Sequence, residues 1–406
     1  MNIPASSAAL RVIESDICIV GNGAIAKTTA LGLAQAGFSV TLLGPPAPPP
    51  APAGSDPGWD ARVYALNHTA YRLLSSLKVW GALDASRVAP VDAMIVQGDG
   101  AQAGGLGFDA YGARTDTLAW IMEDRNIAQA LDAALRFAQN VRQVDGRATA
   151  LLQTQDDATV QLENGSCIKS QLVVGADGAQ SWVRGQCDIG FDYRSYNQRA
   201  VVSNFACELP HHGAAYQWFT GVDGIVALLP LPGNQVSLVW SAPDALADTL
   251  RSESAAQIAA RLAVYAQEKL GALTPLQPEL VRDFPLRLIR PHSMVAQRVA
   301  LVGDAAHVVH PMAGHGMNLG FADVAQLVKT LSEREPQRSL GDERVLARYA
   351  RARKEDVLLM QLTTDGLARL FGANVEPLRV ARNFGLNLLD KLPAVKRRLI
   401  SHALGK

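Results

Sequence analysis

Residues 16–44 are the part of this 406-residue chain that most restricts its possible folds. Their sequence, DICIVGNGAIAKTTALGLAQAGFSVTLLG, runs from a short apolar stretch through a glycine-rich turn into an alanine-rich stretch that ends at Gly37. A second short apolar stretch follows. Short apolar runs bounded by turn residues indicate buried strands, and the alanine-rich stretch between them indicates a helix. The segment predicts a strand–helix–strand unit, which places the chain in the α/β class with a Rossmann-like sheet.

The turn in this unit has the spacing of a dinucleotide-binding fingerprint. Gly21 permits the tight turn, Gly23 lets the backbone approach a pyrophosphate, and Ala26 takes the third position, where a small residue allows close helix packing. The free N–H groups at the helix start bind phosphate oxygens. An acid that binds the ribose is expected about 20 residues further on, but Gly44 stands there. We predict a dinucleotide site with an intact pyrophosphate end and a weakened ribose end.

The length of the chain predicts two domains, because a single core rarely grows beyond roughly 250–300 residues. Residues 45–58 are rich in proline and are predicted to form a surface loop. Residues 192–288 contain short strand-like runs separated by turns, which indicates an inserted sheet domain. The predicted segments are 1–84, 121–190 and 291–370 for the dinucleotide-binding domain, 85–120 and 191–290 for the substrate domain, and 371–406 for a C-terminal helical segment.

The composition argues against several classes of function. Lysine plus arginine and aspartate plus glutamate both number 38, so we expect no nucleic-acid partner. The four cysteines include no C-x-x-C pair, which favours reduced thiols and a cytoplasmic location. We expect neither a secretory signal nor a membrane span, because no uninterrupted apolar run reaches about 18 residues.

Two further glycine-containing motifs follow strand-like runs. The first is VVGADGA at 173–179, and the second is GDAAH at 303–307, followed by PMAGHGMN at 311–318 at the start of a predicted helix. An aspartate at a strand end, such as Asp304, can hydrogen-bond sugar hydroxyls, and glycine N–H groups at a helix start can stabilise negative charge on a flavin ring. Taken alone, the first motif is most often an ordinary turn.

The three motifs, in this order and at these separations, resemble the ubiquinone-biosynthesis hydroxylases, which are FAD-dependent aromatic hydroxylases with a single FAD site. The resemblance covers nearly the whole chain, and GDAAHVVHPMAGHGMNLG is its most specific part. Other matching segments are RVYAL (62–66), WG (80–81), WIME (120–123), QWF (217–219) and LPL (229–231). The resemblance implies a Rossmann-like FAD-binding domain, an inserted mainly β-sheet substrate domain and C-terminal helices.

The resemblance also implies which residues bind FAD. They are Gly21, Gly23 and Ala26 at the pyrophosphate, Asp177 and Gly178 beside it, Asp304 at the ribityl chain, Pro311, Gly314, His315, Gly316, Met317 and Asn318 along the isoalloxazine, and Arg62 and Arg125 as further contacts. Gln217, Trp218 and Phe219 are candidate substrate-side residues, although core packing accounts equally well for the two aromatic ones. The histidines near Asp304 fit no known metal-site spacing, and we expect no metal.

Three positions depart from the pattern of this family. Relatives usually carry an acid where Gly44 stands, an asparagine where Asp124 stands and a glutamine where His315 stands. None of these departures removes a glycine that the backbone geometry requires. We therefore expect FAD binding, with reduced affinity at the ribose.

The reaction implied by the resemblance is hydroxylation of the aromatic ring of a polyprenylated ubiquinone precursor. NAD(P)H would bind transiently and reduce FAD, and the reduced flavin would react with O2 to form a C4a-hydroperoxide that transfers oxygen to the ring. Two alternatives use the same FAD residues: a hydroxylase of another small aromatic, and a flavin reductase of prenyl chains. A third is a non-catalytic member of a quinone-biosynthesis assembly.

Residues 377–406 contain seven lysines and arginines against one acid, Asp390. Apolar residues at helical spacing accompany them. This pattern is typical of helices that pack as a lid on the FAD-binding domain. It is also typical of a basic surface that contacts the anionic inner membrane or a partner protein, as a polyprenyl substrate would require.

Overall fold

The structure is a computed structural model that describes residues 11–46, 58–98, 104–310 and 314–372. Pro311 and nearly all of the predicted C-terminal segment lie outside these residues. The described strands are β1 (Val12–Val20), β2 (Val40–Gly44), β3 (Val63–Leu66), β4 (Val88–Val91), β5 (Ala93–Gln97), β6 (Gly105–Asp109), β7 (Ala119–Glu123), β8 (Val141–Asp145), β9 (Ala148–Gln153), β10 (Ala158–Leu162), β11 (Cys167–Gly175), β12 (Phe191–Cys207), β13 (Ala214–Phe219), β14 (Ile225–Leu231), β15 (Gln235–Pro243), β16 (Leu273–Pro275), β17 (Arg282–Pro291), β18 (Val295–Ala296) and β19 (Val299–Leu301). The described α-helices are α1 (Ala24–Gln35), α2 (His68–Ser76), α3 (Asp124–Leu135), α4 (Trp182–Gln186), α5 (Asp244–Ser252), α6 (Ala255–Leu270), α7 (His315–Ser332) and α8 (Glu343–Gly372).

The first sheet contains eight of the described strands, in the order β18-β19-β11-β1-β2-β8, and β10 and β9 extend it from β11. Strands β19, β11, β1, β2 and β8 are parallel. Parallel strands are covered on both faces, so they are apolar almost throughout, and Ile17, Cys18 and Ile19 in β1 are fully buried. Helix α1 packs between this sheet and helices α3 and α7. The predicted α/β class with a Rossmann-like parallel sheet is confirmed.

The second sheet contains another eight of the described strands, in the order β16-β12-β15-β14-β13-β5-β6, with β17 paired to β12. It is antiparallel apart from the β13–β5 pair. One face packs against α5 and α6 through apolar residues such as Val201, Trp218 and Leu262. Because strand side chains alternate between faces, other residues form the opposite face, which we call the inner face. It includes Gln198, Ala200, Val202, Asn204, Gln217, Ser237, Val239 and Phe284.

A three-stranded antiparallel sheet, β3-β7-β4, lies beside the second sheet. Its residues Val91 and Ile121 share a small apolar cluster with Ala215 and Leu231 of the second sheet. The first sheet takes its strands from the predicted segments 1–84, 121–190 and 291–370, and the second from 85–120 and 191–290, apart from the last residue of β17. The domain boundaries themselves stay predictions.

Helix α8, which has 30 residues, contacts both large sheets. The Tyr349 hydroxyl donates to the backbone oxygen of Leu301 in β19 at 2.8 Å. About three turns further on, the Gln361 side-chain oxygen accepts from Nε of Arg290 in β17 at 3.0 Å. The helix carries many charged residues, and none of the helices in the described part of the chain has the length and apolar character of a transmembrane span.

Candidate functional site

The glycine turn after β1 has the geometry that a bound pyrophosphate requires. Gly21 has a φ of +130°, and a Cβ atom there would lie 2.3 Å from the backbone oxygen of Ala176, so only glycine fits. Gly23 is exposed and precedes α1, whose first N–H groups receive no side-chain cap. A Cβ atom on Gly23 would have no described atom within 4 Å. This open helix start is suited to phosphate oxygens. Ala26 is fully buried and lets α1 pack closely.

The end of β2 explains how the chain accommodates Gly44. A Cβ atom on Gly44 would lie 2.7 Å from the Cβ atom of Asn22, the residue between the two glycines of the fingerprint. The Asn22 side-chain amide donates to the backbone oxygen of Pro45 at 2.6 Å. Asn22 therefore occupies the space that an acidic side chain at position 44 would need.

The second motif follows β11, which pairs with β1 so that Gly175 lies beside Val20. Asp177 Oδ2 accepts from the backbone N–H of Val183 at 3.0 Å. Its Oδ1 atom is buried and has no hydrogen-bond partner among the described residues. Gly178 has a φ of +81°, and a Cβ atom there would have open space. The motif therefore presents one unused acceptor next to open backbone.

Arg184 connects the second motif to the third. Its guanidinium is 4% exposed and donates to the backbone oxygens of Ala305 at 2.9 Å and Ala179 at 2.8 Å. Two glycine turns that are distant in sequence are thus held at a fixed separation.

Asp304, in the third motif, is exposed to solvent. Desolvation by the surrounding protein nevertheless raises the pKa of its carboxyl above the usual value, an effect that His307 opposes. An exposed carboxylate near the end of a strand is suited to accept hydrogen bonds from sugar hydroxyls. The position therefore fits the predicted contact with the ribityl chain.

A buried charged network supports this turn, and the sequence did not reveal it. Asp323 on α7 is fully buried; its Oδ2 atom accepts from the backbone N–H of Gly303 at 2.9 Å and lies 2.6 Å from Nε2 of His307. Its Oδ1 atom accepts from Nε of Arg353 on α8 at 2.8 Å. Burial alone would raise the pKa of Asp323, but His307 and Arg353 hold it below the usual value. The sequence signal that could have indicated this network is Asp323 itself, an acid within the apolar helix that follows the third motif.

Asn318 fixes the start of α7 against the end of β3. Its side-chain amide donates to the backbone oxygens of Ala65 at 2.7 Å and Gly314 at 3.1 Å, and its oxygen accepts from the backbone N–H of Asn67 at 2.9 Å. Gly314 has a φ of +68°, and a Cβ atom there would lie 3.1 Å from the Cβ atom of Ala65. A Cβ atom on Gly316 would have open space.

Met317 and His315 are two further predicted flavin contacts of the third motif. Met317 is half-buried and packs against the main core. His315 is the first residue of α7.

Arg62 and Arg125 have different surroundings. The Arg62 guanidinium lies over the Phe284 ring of the inner face, 4.6 Å from its centroid. Burial raises the pKa of nearby Asp124, and Arg62 opposes that shift. Arg125 instead donates to the backbone oxygen of Gly58 at 2.7 Å and to the fully buried Glu123 at 3.1 Å. The Arg125 guanidinium thus binds the last residue of the proline-rich segment.

The three candidate substrate residues of β13 point to different faces of the second sheet. Trp218 packs against Tyr265 of α6, and its Nε1 atom donates to the side-chain oxygen of Gln97 at 2.7 Å. Gln217 and Phe219 lie on the inner face and are 7% and 4% exposed. Core packing therefore accounts for Trp218, whereas Gln217 lies on the opposite face, which packs in part against the three-stranded sheet.

Known proteins share this arrangement. Residues 115–360 match the family described as FAD binding domain. The chain is 36% identical to 3-demethoxyubiquinol 3-hydroxylase of Escherichia coli over 393 residues, which covers 96% of this chain and 98% of that protein. The chain belongs to the ubiquinone-biosynthesis hydroxylases. Ubiquinone hydroxylase UbiL of Rhodospirillum rubrum is another such hydroxylase, 33% identical to this one, and the alignment covers 96% of this chain and 90% of that protein.

Solved structures show the same fold as this ubiquinone-biosynthesis hydroxylase. The p-nitrophenol 4-monooxygenase PnpA of Pseudomonas putida has a TM-score of 0.75 at 21% identity, covering 97% of this chain and 99% of that one. HpxO of Klebsiella pneumoniae, complexed with FAD and uric acid, has a TM-score of 0.74 at 18% identity, covering 96% and 97%.

These comparisons confirm the predicted family, the FAD cofactor and the class of flavin-dependent monooxygenase. The assignment of individual residues to FAD or substrate stays a prediction.

Proposed function

We propose that this chain hydroxylates the aromatic ring of a polyprenylated ubiquinone precursor, using NAD(P)H and O2. The observation that carries the proposal is the convergence of the three glycine turns. Gly21 lies against Ala176, Arg184 joins the second turn to the third, and Asn318 joins the third to the end of β3. The names of the most similar relatives supply the substrate class.

Different residues would bind the different parts of FAD. The open backbone at Gly23 and the N-terminus of α1 would bind the pyrophosphate, and Asp304 would bind the ribityl hydroxyls. The start of α7, with Gly316 open to its surroundings, would lie along the ring system. FAD supplies the oxygen-transfer chemistry when it is bound. Only one fingerprint is found in the sequence, so NAD(P)H would bind transiently.

The inner face of the second sheet would form the wall of the substrate pocket. Its polar atoms include Asn204 Oδ1 and Ser237 Oγ, both buried without a hydrogen-bond partner in the described ranges. Buried polar groups normally have partners, so a ring bearing hydroxyl or methoxy groups would complete this surface.

The test is direct. The purified protein should carry FAD and should consume O2 and NAD(P)H faster when a short-chain prenylated phenol is present, with a product heavier by one oxygen atom. Asp304→Ala should lose FAD and activity together. A protein that binds FAD but adds oxygen only to small unprenylated aromatics would contradict the proposed substrate, and a protein that rejects FAD would support the non-catalytic alternative.

We propose in addition that residues 371–406 bring the enzyme to the membrane or to partners in a biosynthetic complex. The proposal rests on the basic and apolar composition of this segment and on the low water solubility expected of a polyprenyl substrate. Flotation with anionic vesicles, with and without the segment, tests the membrane contact. Equal flotation of both forms would contradict it.

A further inference from the structure

His310 is a fully buried histidine at the boundary between the two large sheets. It follows Val308, which forms an isolated bridge with Ile289 of β17 and so attaches the third motif to the second sheet. It also directly precedes residues 311–313, which lead to the start of α7. The imidazole therefore lies against the second sheet and is adjacent in sequence to the predicted flavin residues of the third motif.

The contacts of His310 across this boundary come from β12. The Tyr196 ring meets the imidazole edge-on, with centroids 4.9 Å apart. The side-chain oxygen of Gln198 lies 3.4 Å from Nε2. The pairing of β12 with β15 is continuous from Gln198 to Ala206, so Gln198 shares the inner face with Asn204. The histidine therefore lies against the same face that we assign to the substrate pocket.

These contacts leave His310 with an unused polar atom. Nδ1 has no hydrogen-bond partner in the part of the chain that the structure describes, and the same is true of the Tyr196 hydroxyl. The side-chain oxygen of Gln198 faces Nε2; in the tautomer that carries its proton on Nε2, this N–H donates to Gln198 and the lone pair of Nδ1 is unused. A buried acceptor without a partner is costly, so Nδ1 is suited to receive a hydrogen bond from a bound ligand.

The protonation state of the imidazole is consistent with this role. Burial lowers the pKa of His310 to about 4. The ring is therefore neutral near pH 7 and can accept a hydrogen bond there. It is a poor base, since it would not keep a proton taken from a phenol.

Two other contacts connect the inner face to the segment before β3. The Arg62 guanidinium lies over Phe284, and the Asn204 amide donates to the backbone oxygen of Asp60 at 3.1 Å. Phe284 pairs with Ala200, two residues from Gln198 on β12, so the predicted FAD contact Arg62 and His310 both meet the same face of the second sheet.

We propose that His310 is a specificity residue whose Nδ1 atom accepts the hydrogen bond of the ring hydroxyl of the substrate. This inference rests on the proposed function, because it identifies the group that recognises a phenol in that pocket. The alternative is a purely structural role, in which His310 only packs between the sheets.

The test compares two ligands and four proteins. The ligands are a phenol carrying one isoprenyl group and its methyl ether, which lacks the donor. Binding to the oxidised holoenzyme is followed through the flavin absorbance, so no turnover is needed. The proteins are the wild type, His310→Phe, His310→Asn and His310→Gln. Asn places its side-chain oxygen near the position of Nδ1, whereas Gln reaches towards the position of Nε2.

The wild type should bind the phenol about tenfold more tightly than the ether, which corresponds to one hydrogen bond. His310→Phe and His310→Gln should lose this preference, and His310→Asn should restore most of it. An unchanged preference in His310→Phe would overturn the proposal. If that variant does not retain FAD, an equal preference in the Asn and Gln variants overturns it instead.

This experiment separates the two proposals. A preference for the phenol that depends on His310, without any hydroxylated product, would contradict the proposed function and leave the role of His310 intact. Hydroxylation without a preference that depends on His310 would do the reverse. The exposed His292, which pairs with Asp192, provides a matched control, and His292→Phe should change neither ligand affinity.

Discussion

The Cβ atom of Asn22 lies 2.7 Å from the position that a Cβ atom on Gly44 would occupy. The two residues are therefore complementary, because the absence of a side chain at Gly44 leaves room for the side chain of Asn22. The missing ribose acid of this chain and the asparagine inside its glycine turn are two parts of one local arrangement.

An acid introduced at position 44 without a second substitution should not tighten FAD binding. We expect Gly44→Glu to destabilise the protein by about 1–3 kcal/mol through overpacking against Asn22, with no gain in FAD affinity. Combined with Asn22→Gly, the same change should restore stability and tighten FAD binding about tenfold, because the acid can then reach the ribose. Urea unfolding and FAD fluorescence titration measure the two effects. Additive effects of the two substitutions would show that the residues are independent.

Gly21 and Gly23 should respond differently to alanine. Gly21→Ala should cost about 3 kcal/mol or more, because it combines a φ of +130° with a 2.3 Å contact to Ala176. Gly23→Ala should leave the stability of the apoprotein within about 1 kcal/mol of the wild type and weaken FAD binding at least about tenfold. Thermal unfolding of apo and FAD-bound protein distinguishes them. Equal FAD affinity in Gly23→Ala and the wild type would place the pyrophosphate elsewhere.

Asp323→Asn should destabilise the protein by about 3–5 kcal/mol at pH 7, because the buried Arg353 loses its buried charged partner and keeps only its ion pair with the exposed Asp356 among the described residues. The pKa of Asp323 is lowered in the folded state, so its contribution is fully present above the unfolded value of about 3.9 and is lost as the pH falls through the lower folded value. The difference between wild type and variant, measured by urea unfolding, should therefore shrink below about pH 4. The exposed Asp248→Asn, a control, should change stability by less than about 1 kcal/mol.

His310 should make the protein sensitive to mild acid. Its pKa is about 4 in the folded state against 6.5 as the ordinary value, so the unfolded state binds more protons between these pH values. Stability should fall as the pH decreases from 6.5 to 4, by about 1.4 kcal/mol per pH unit from this group. Urea unfolding of His310→Asn should show a slope smaller by that amount. Parallel curves for the wild type and the variant would mean that His310 is protonated as easily in the folded protein.

Local features were predictable from the sequence, since their cause lies within a few residues. The turn at Gly21 and the helix stop at Gly37, which has a φ of +93°, follow from the conformational freedom of glycine. Helix α7, predicted to start within residues 311–318, begins at His315. Its true start depends on Asn318 binding Ala65 and Gly314, and a pattern confined to the helix does not contain that contact.

Long-range pairings were not predictable. Alternation along β13 implies that Gln217 and Trp218 face opposite ways, but only the position of α6 decides which of them is buried in the helix-packed core. The same holds for Asp323 and Arg353, which are 30 residues apart on different helices. Their pairing follows from the packing of α8 on α7. Both charged residues are present in the sequence, but nothing in the sequence indicates that they pair.

Helix α8 also bears on how the chain unfolds. Arg353 and Tyr349 attach it to the network and the strand behind the third motif, and Gln361 and Asp365 attach it to Arg290 and Arg194 of the second sheet. Proteins with two cores commonly melt in separate steps. A single helix that is bonded to both cores makes the loss of one costly to the other. We therefore expect the two parts to unfold as one cooperative unit and neither half of the chain to fold when expressed alone.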